Sequence, residues 1–382
     1  MTQDDYRNTL EKEEYPKITD IMERARKSSI FPGAYLLFAK RGDIKYKKAF
    51  GHSSLVPEIS ELREDTIFDI ASLTKVIATT TALMLLVRDK YLEVDDKASK
   101  FIPSLVKYGK SDITLRHLLS HSSGLPAWKP YYKEVCNNDR MIPNHTTKNL
   151  IYEMVHKEKL IYPLGEDFQY SDLGFILLEE VIEKVSGQSL ENFCDERIFS
   201  PLGMKNTFYI KLADKRNLAK EKFAATEECP WRKRVLRGEV HDANAYAMGG
   251  VAGHAGLFAI GGDIYIFAKE ILEIFRGREG MIPKEILEKF IKRQEIVKHS
   301  SRALGWDTPS RIFSTSGRYF SNESIGHTGF TGVSLWIDLK REIIVILLSN
   351  RVHPTRENQT FNRFRPYIHD IVMEELLNKD NG

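Results

Sequence analysis

Cysteine is scarce in this chain, and its three copies (Cys136, Cys194 and Cys229) are scattered with no Cys-x-x-Cys spacing. That argues against a disulfide framework and a thiolate zinc site, and fits a reducing cytosol. Long hydrophobic runs are also missing. The most apolar stretch, Val76 to Val87, ends at Arg88, well short of the roughly 20 residues a membrane span needs. The N-terminal Met1-Thr-Gln-Asp-Asp-Tyr6 has no basic segment followed by an apolar one. No signal peptide is therefore expected, and a cytoplasmic location follows unless a leader has been trimmed. Nor does charge of one sign dominate: the net +3 over 382 residues comes from interspersed signs, which implies neither a nucleic-acid nor a membrane partner. No repeat or low-complexity tract is present. The remaining composition, 42% hydrophobic and 29% charged, suits a soluble globular enzyme of one large or two intimate domains.

The chain is organised around Phe68-Asp-Ile-Ala-Ser72-Leu-Thr-Lys75 and the run that follows it. From Lys75 to Val87 almost every residue is apolar, Thr or Ala, which predicts a helix buried on all sides. Ser72 then falls in its first turn, where free N–H groups and the helix dipole favour developing negative charge. Lys75 shares its face. A hydroxyl with an amine beside it at the mouth of a buried helix suits acyl transfer; an N-cap Ser with a snorkelling Lys would have the same spacing.

In chain order, apolar spacing predicts an amphipathic helix over Asp4 to Lys27, then a hairpin of Ala34–Ala39 and Ile44–Phe50. After Tyr91 come short helical patterns, with few strand-like runs until about Arg302. Strands are expected again at Leu304–Trp306, Arg318–Phe320, Ser334–Ile337 and Ile343–Leu348, before a closing helix over Phe364–Leu377. Strands near both ends and helices between them predict an α/β (α+β) protein with an antiparallel sheet built from both chain ends. The sheet domain would comprise residues 1–80 and 302–382, and a mostly helical domain residues 81–301, with the active site between them.

Further clusters bear on chemistry. Tyr170-Ser-Asp172 precedes an apolar helix; it can supply a phenol and a carboxylate to a proton relay, or simply an N-cap and a packing ring. Gly326-His-Thr-Gly329-Phe330 reads as a Gly-rich turn before a strand, or as an edge whose backbone approaches a ligand. His241, Asp242 and His254 could line the cleft, bind a metal, or be loop imidazoles bonded to backbone carbonyls. His117 and His121, spaced i and i+4, read as a pair at a helix C-terminus. The Tyr- and Asn-rich segment Lys129 to Asn144 is expected on the cleft rim.

With these residues in order, the chain resembles the class C β-lactamase and penicillin-binding-protein-like serine hydrolases: Ser72-x-x-Lys75, Tyr170-Ser-Asp172 and His327-Thr328-Gly329. Phe31-Pro-Gly-Ala34, Ile113-Thr-Leu-Arg-His-Leu-Leu-Ser-His-Ser-Ser-Gly-Leu-Pro126, Pro201-Leu-Gly-Met204 and Leu304-Gly-Trp306 extend the resemblance from about Phe31 to Leu377. It implies a β-lactamase/transpeptidase-like fold and an acyl-enzyme on Ser72, with Lys75 and Tyr170 as catalytic proton carriers. It further implies an oxyanion hole from the N–H groups of Ser72 and Phe330, substrate contacts at Asp172, His327, Thr328, Gly329 and Phe330, and no metal or organic cofactor.

Two positions depart from the pattern. Asp172 stands where the β-lactamases usually carry Asn, which favours a permanently charged Lys75 and makes Tyr170 the main base. His327 replaces a Lys, removing a fixed charge for a substrate carboxylate. This resembles esterase and peptidase-like branches more than dedicated β-lactamases. The loop Gly238–Leu257, with Asn350-Arg-Val-His-Pro354, resembles the branch of muropeptide amidases and a penicillin-binding carboxypeptidase. The expected substrate is a small carboxylic ester or a peptidoglycan-derived peptide or amide, with β-lactams as acylating ligands. The alternatives are a penicillin sensor that acylates without turnover and a true β-lactamase.

Overall fold

The structure, a computed structural model, describes residues 14–136, 143–214, 219–310 and 312–379. Its centre is a six-stranded antiparallel sheet whose strands come from both ends of the chain. In chain order they are β1 (Gly33–Lys40), β2 (Asp43–Ser54), β3 (Ser60–Glu61), β4 (Ser324–Gly329), β5 (Val333–Asp338) and β6 (Ile343–Ser349). Their spatial order is β3-β2-β1-β6-β5-β4, so the two ends of the chain meet where β1 pairs with β6.

That seam is buried on both faces, which explains its unbroken apolar sequence. The register pairs Leu36 with Leu347 and Phe38 with Val345. Period-2 alternation sends these four toward helices α1 (Pro16–Lys27) and α5 (Phe361–Asn378), where they pack with Met22, Phe364 and Ile368. Tyr35, Leu37, Ile346 and Leu348 face the other way, into the larger core shared with the helical body.

On that second face lies α4 (Gly261–Phe275), which packs against β1, β5 and β6 although it falls within the segment expected to be the helical insertion. The buried run predicted after Ser72 is present: Lys75–Thr80 winds as a π-helix and continues as α2 (Thr81–Arg88), with every residue from Lys75 to Val87 buried. Two hydroxyls serve backbone groups here, Thr79 Oγ1 donating to Gly253 O (2.6 Å) and Thr81 Oγ1 to Val76 O (2.9 Å).

Several expectations need correction. Residues 304–306 and 318–320 are not strands. The first group turns through Gly305 at φ +81° within a bridge between Arg302 and Asp307. The second is bent where Asp370 takes both the N–H and the Nε–H of Arg318. Conversely, Gly326–Gly329 is not a turn: it belongs to edge strand β4. The N-terminal helix starts at Pro16, and the part of the predicted helix before residue 14 lies outside the described residues.

Packing tightness generates a test. A Cβ at Gly261, the first residue of α4, would lie 2.1 Å from the buried Tyr35 ring. Gly261→Ala is expected to cost about 1–3 kcal/mol by overpacking, read as a lower thermal midpoint. An unchanged midpoint would show that Tyr35 can move aside.

Candidate active site

The loop that carries the candidate nucleophile Ser72, residues 68–72 (the nucleophile loop), is held from three sides. Phe68 and Asp69 pair with Ala259 and Phe258, and Ile70 N–H donates to Leu257 O (3.0 Å). Ala71 then adopts φ +45°, a conformation that costs a non-glycine residue energy. The buried Asp69 carboxylate compensates by accepting from Ala71 N–H (2.9 Å), and its other oxygen accepts from His241 N–H (2.7 Å). Burial raises the Asp69 pKa despite these bonds. Ser72 follows at the mouth of the buried helix.

Lys75 is fully buried, and three segments converge on its Nζ. It lies 3.0 Å from Ser72 Oγ, 3.0 Å from His254 O and 2.7 Å from Asp172 Oδ1. The Tyr170 ring centroid is 4.9 Å away and that of Phe175 5.5 Å. Burial disfavours the ammonium, but Asp172 and then Tyr170 outweigh it, holding the Lys75 pKa above its ordinary value.

Each segment is anchored by its own sequence. Ser171 caps α3 (Asp172–Ser186), its Oγ accepting from Gly174 N–H (3.3 Å) and donating to Pro126 O (2.7 Å). Ser171 N–H donates to His121 Nδ1 (3.0 Å), and Asp172 N–H to Ala127 O (2.9 Å). The His254 segment is tied by Gly253 N–H to the buried Glu179 (2.9 Å) and by Thr79 to Gly253 O.

Of the histidines, His241 and His254 line the cavity, one of the readings the sequence left open. His117 lies within a short helix (Leu115–Leu119), where its ring reaches back to the Thr114 N-cap, while His121 follows the helix and packs 4.6 Å from the Tyr170 ring. His117 thus lies in the last turn of this one-turn helix and His121 just past its Ser120 C-cap. The imidazoles of His241 and His254 bond carboxylates rather than backbone carbonyls: Glu227 (3.2 Å) and Asp242 (3.0 Å). Burial opposes a charged His254, but Asp242 and Asp172 outweigh it and raise its pKa. Ligand atoms of Asp172, Asp242 and His254 lie within 4.8 Å of one another, but Lys75 already pairs with Asp172 and His254 with Asp242.

On the opposite wall, β4 carries His327, Thr328 and Gly329 to the sheet edge. Val333 pairs with Gly329, and a Cβ on Gly329 would lie 2.9 Å from Ile70 O, so only glycine lets this strand approach the nucleophile loop. His327 is buried, and burial followed by Arg302 and Lys75 pushes its pKa well below normal. It is neutral, as the sequence implied. Phe330 lies just beyond the strand, its ring stacked on His241 (5.6 Å) and half-exposed at the cavity. Neither Ser72 N–H nor Phe330 N–H donates a hydrogen bond among the described residues.

Ser72 and Asp172 open onto a cavity of about 580 Å³, with Trp128, Tyr132, Trp231, His241 and Arg356 among its lining. Tyr132 comes from the expected rim segment, of which residues 137–142 lie outside the described residues.

Sequence reasoning missed Asp69, the His254 carbonyl and Arg302, whose guanidinium lies 5.2 Å over the Tyr170 ring. Asp69 stood beside the motif, but only its pairing to a distant loop reveals its role. Nothing local marks the other two.

The pattern of the beta-lactamase family matches residues 18–366. The chain belongs to that family. It is 31% identical over 360 residues to a putative D-alanyl-D-alanine carboxypeptidase of Escherichia coli (strain K12), covering 85% of this chain and 79% of the relative. It is also 31% identical over 365 residues to the N-acetylmuramyl-L-alanine amidase of Bacillus subtilis (strain 168), covering 88% and 81%. Among solved structures, the octameric penicillin-binding protein homologue from Pyrococcus abyssi shares the fold, with a TM-score of 0.73 at 23% identity over 95% of this chain and 77% of that one. This beta-lactamase family member is thus a serine hydrolase with the expected mixed α/β fold. Among the described residues, no helix is long and apolar enough to cross a membrane.

The Lys75–Asp172 pair gives a pH test. Asp172→Asn removes the largest influence raising the Lys75 pKa and leaves burial, which lowers it. The amine then loses its proton at lower pH, so the alkaline side of the pH–rate profile is expected to move down. An unmoved profile would show that Lys75 ionisation does not set it.

Proposed function

We propose that the protein hydrolyses a peptidoglycan-derived amide or peptide, or a carboxylic ester of similar size, through an acyl-enzyme on Ser72. The observation that carries this reading is Ser72 Oγ lying 3.0 Å from a fully buried Lys75 Nζ beside a cavity of substrate size.

Ser72 Oγ attacks the substrate carbonyl, forming a C–O bond while the carbonyl electron pair moves onto oxygen. The N–H groups of Ser72 and Phe330 receive that oxyanion. Lys75, held as an ammonium by Asp172, cannot also accept the serine proton. Tyr170 carries that proton from Ser72 to the departing amine or alcohol, which leaves with it as the C–N or C–O bond breaks. Water then repeats the sequence: Tyr170 takes its proton, the acyl–Ser72 bond breaks, Ser72 regains a proton, and the acid leaves. His327, Thr328 and Gly329 line the strand beside the substrate.

The substrate class rests on the two relatives, whose names specify a D-alanyl-D-alanine carboxypeptidase and a muramyl-alanine amidase. The aromatic residues Trp128, Tyr132 and Trp231 at the cavity support a bulky, partly apolar acyl group. β-Lactams would acylate the same serine. The arrangement also supports a division of the chain, with the sheet domain and the mostly helical domain meeting at Ser72.

Wild type and Ser72→Ala should be compared on a p-nitrophenyl ester, an N-acetylmuramyl-L-alanine peptide and a peptide ending in D-Ala-D-Ala. Turnover of at least one substrate by wild type and a loss of at least about 10⁴-fold in the mutant are expected. Equal turnover in both would remove Ser72 from the mechanism. Stoichiometric acylation without turnover would indicate a sensor.

A further inference from the structure

Two arginines stand behind the Gly329–Phe330 peptide, both buried, and among the described residues neither pairs with a carboxylate. Arg365, on α5, donates from Nη2 to Gly329 O (3.3 Å). Arg351, just beyond β6, donates from Nε to Phe330 O (3.0 Å) and from Nη1 to Asn358 O (3.2 Å), with its guanidinium 4.8 Å over the Phe330 ring. Burial and the neighbouring Arg351 push the Arg365 pKa down to about 10, so it remains charged at neutral pH. The third arginine near Phe330, Arg356, is committed to Glu227, which also holds His241. Asp69, across the loop, accepts two backbone N–H groups.

A buried cation without an acid partner is a costly arrangement that packing alone does not require. Its position suggests what it serves. Gly329 C=O and Phe330 N–H belong to one peptide unit, so a donor on the carbonyl fixes the direction of the N–H and polarises it further. Two full positive charges beside that unit raise the potential at its N–H, on a strand that packs tightly against the Ile70–Ala71 turn at Gly329.

We propose that Arg365 and Arg351 are positioning residues of the oxyanion hole. They orient the Gly329–Phe330 peptide and supply a positive field that stabilises the anionic tetrahedral state more than the bound substrate. This rests on the acyl-enzyme reading and on Phe330 N–H as a donor. It goes beyond that reading by assigning transition-state stabilisation to two side chains that do not touch the substrate.

The test compares wild type, Arg365→Met, Arg365→Lys and Arg351→Met. Three quantities are read: acylation rate on a p-nitrophenyl ester, affinity for an alkylboronic acid (which forms an anionic tetrahedral adduct with an active serine), and thermal midpoint. Arg365→Met is expected to slow acylation by about 10- to 100-fold with KM within about twofold, and to weaken boronate binding by a similar factor. Its midpoint should stay level or rise, because an unpaired buried charge has been removed. Arg365→Lys, keeping the charge, should recover part of both losses, and Arg351→Met should show a smaller loss of the same kind. Acylation and boronate affinity within about twofold of wild type in Arg365→Met would overturn the proposal. So would an activity loss accompanied by a lower midpoint and unchanged boronate affinity, which marks a merely structural arginine. If Arg365→Met fails to fold, Arg365→Lys and Arg351→Met decide by the same criteria. Boronate binding that survives Ser72→Ala would instead overturn the acyl-enzyme reading itself.

Discussion

A lysine ammonium buried away from water is the constraint around which this site is built. Such a charge persists only if its donors find acceptors and a counter-charge lies close by. Lys75 meets that requirement with Ser72 Oγ, His254 O and Asp172. These groups sit on segments far apart in sequence, so the burial of one side chain requires that all three meet. The secondary anchors follow. Ser171 ties the Asp172 segment to His121 and Pro126, while Glu179 and Thr79 tie the His254 segment to two buried helices. Sites set by rigid elements with a bonded supporting layer hold their geometry, which proton transfer and in-line attack need.

The distribution of charge around Lys75 shapes the chemistry as much as the distances do. Asp172 keeps the amine protonated, which makes Lys75 an electrostatic partner; in the proposed mechanism Tyr170 then carries the proton. His327, between Arg302 and Lys75 in electrostatic terms, stays neutral. The Asp242–His254 pair adds no net charge when both are ionised. The local field thus comes from a few fixed cations and not from a titrating imidazole at the sheet edge.

How much of this was legible depended on whether the signal was local. The Ser72–Lys75 pair could be read because i and i+3 meet on any helix, and the following run because it has no polar face. Strands β1, β5 and β6 could be read because β-rich apolar runs, bounded by turn residues, leave few alternatives. The edge strand β4 could be read either as a turn or as an edge. Gly326 and Gly329 resemble turn residues, yet they are glycines because Trp336 and the nucleophile loop press against them. Residues 304–306 looked like a strand because they are apolar; Gly305, packed against Thr80, makes them a turn instead. Asp69, Arg302 and the His254 carbonyl act only through tertiary contacts, and a backbone carbonyl has no sequence signature at all.

Several costly features of this molecule lie around Ser72. Ala71 is held at positive φ, Lys75–Thr80 winds as a π-helix, burial pushes Glu179 up to about 7, and two arginines lack acid partners among the described residues. Each is unfavourable by itself, and the sheet does not require any of them. The β1–β6 seam, by contrast, is regular, apolar and buried on both faces, with one core under α1 and α5 and another under α4 and the helical body. The regular seam and these costly features are joined by short connections. β4 runs from the sheet to Phe330, and α5 both covers the sheet and supplies Arg365. A regular core of this kind lets a small region hold charges and backbone angles that would not persist alone, and that region is where the groups proposed for acyl transfer lie.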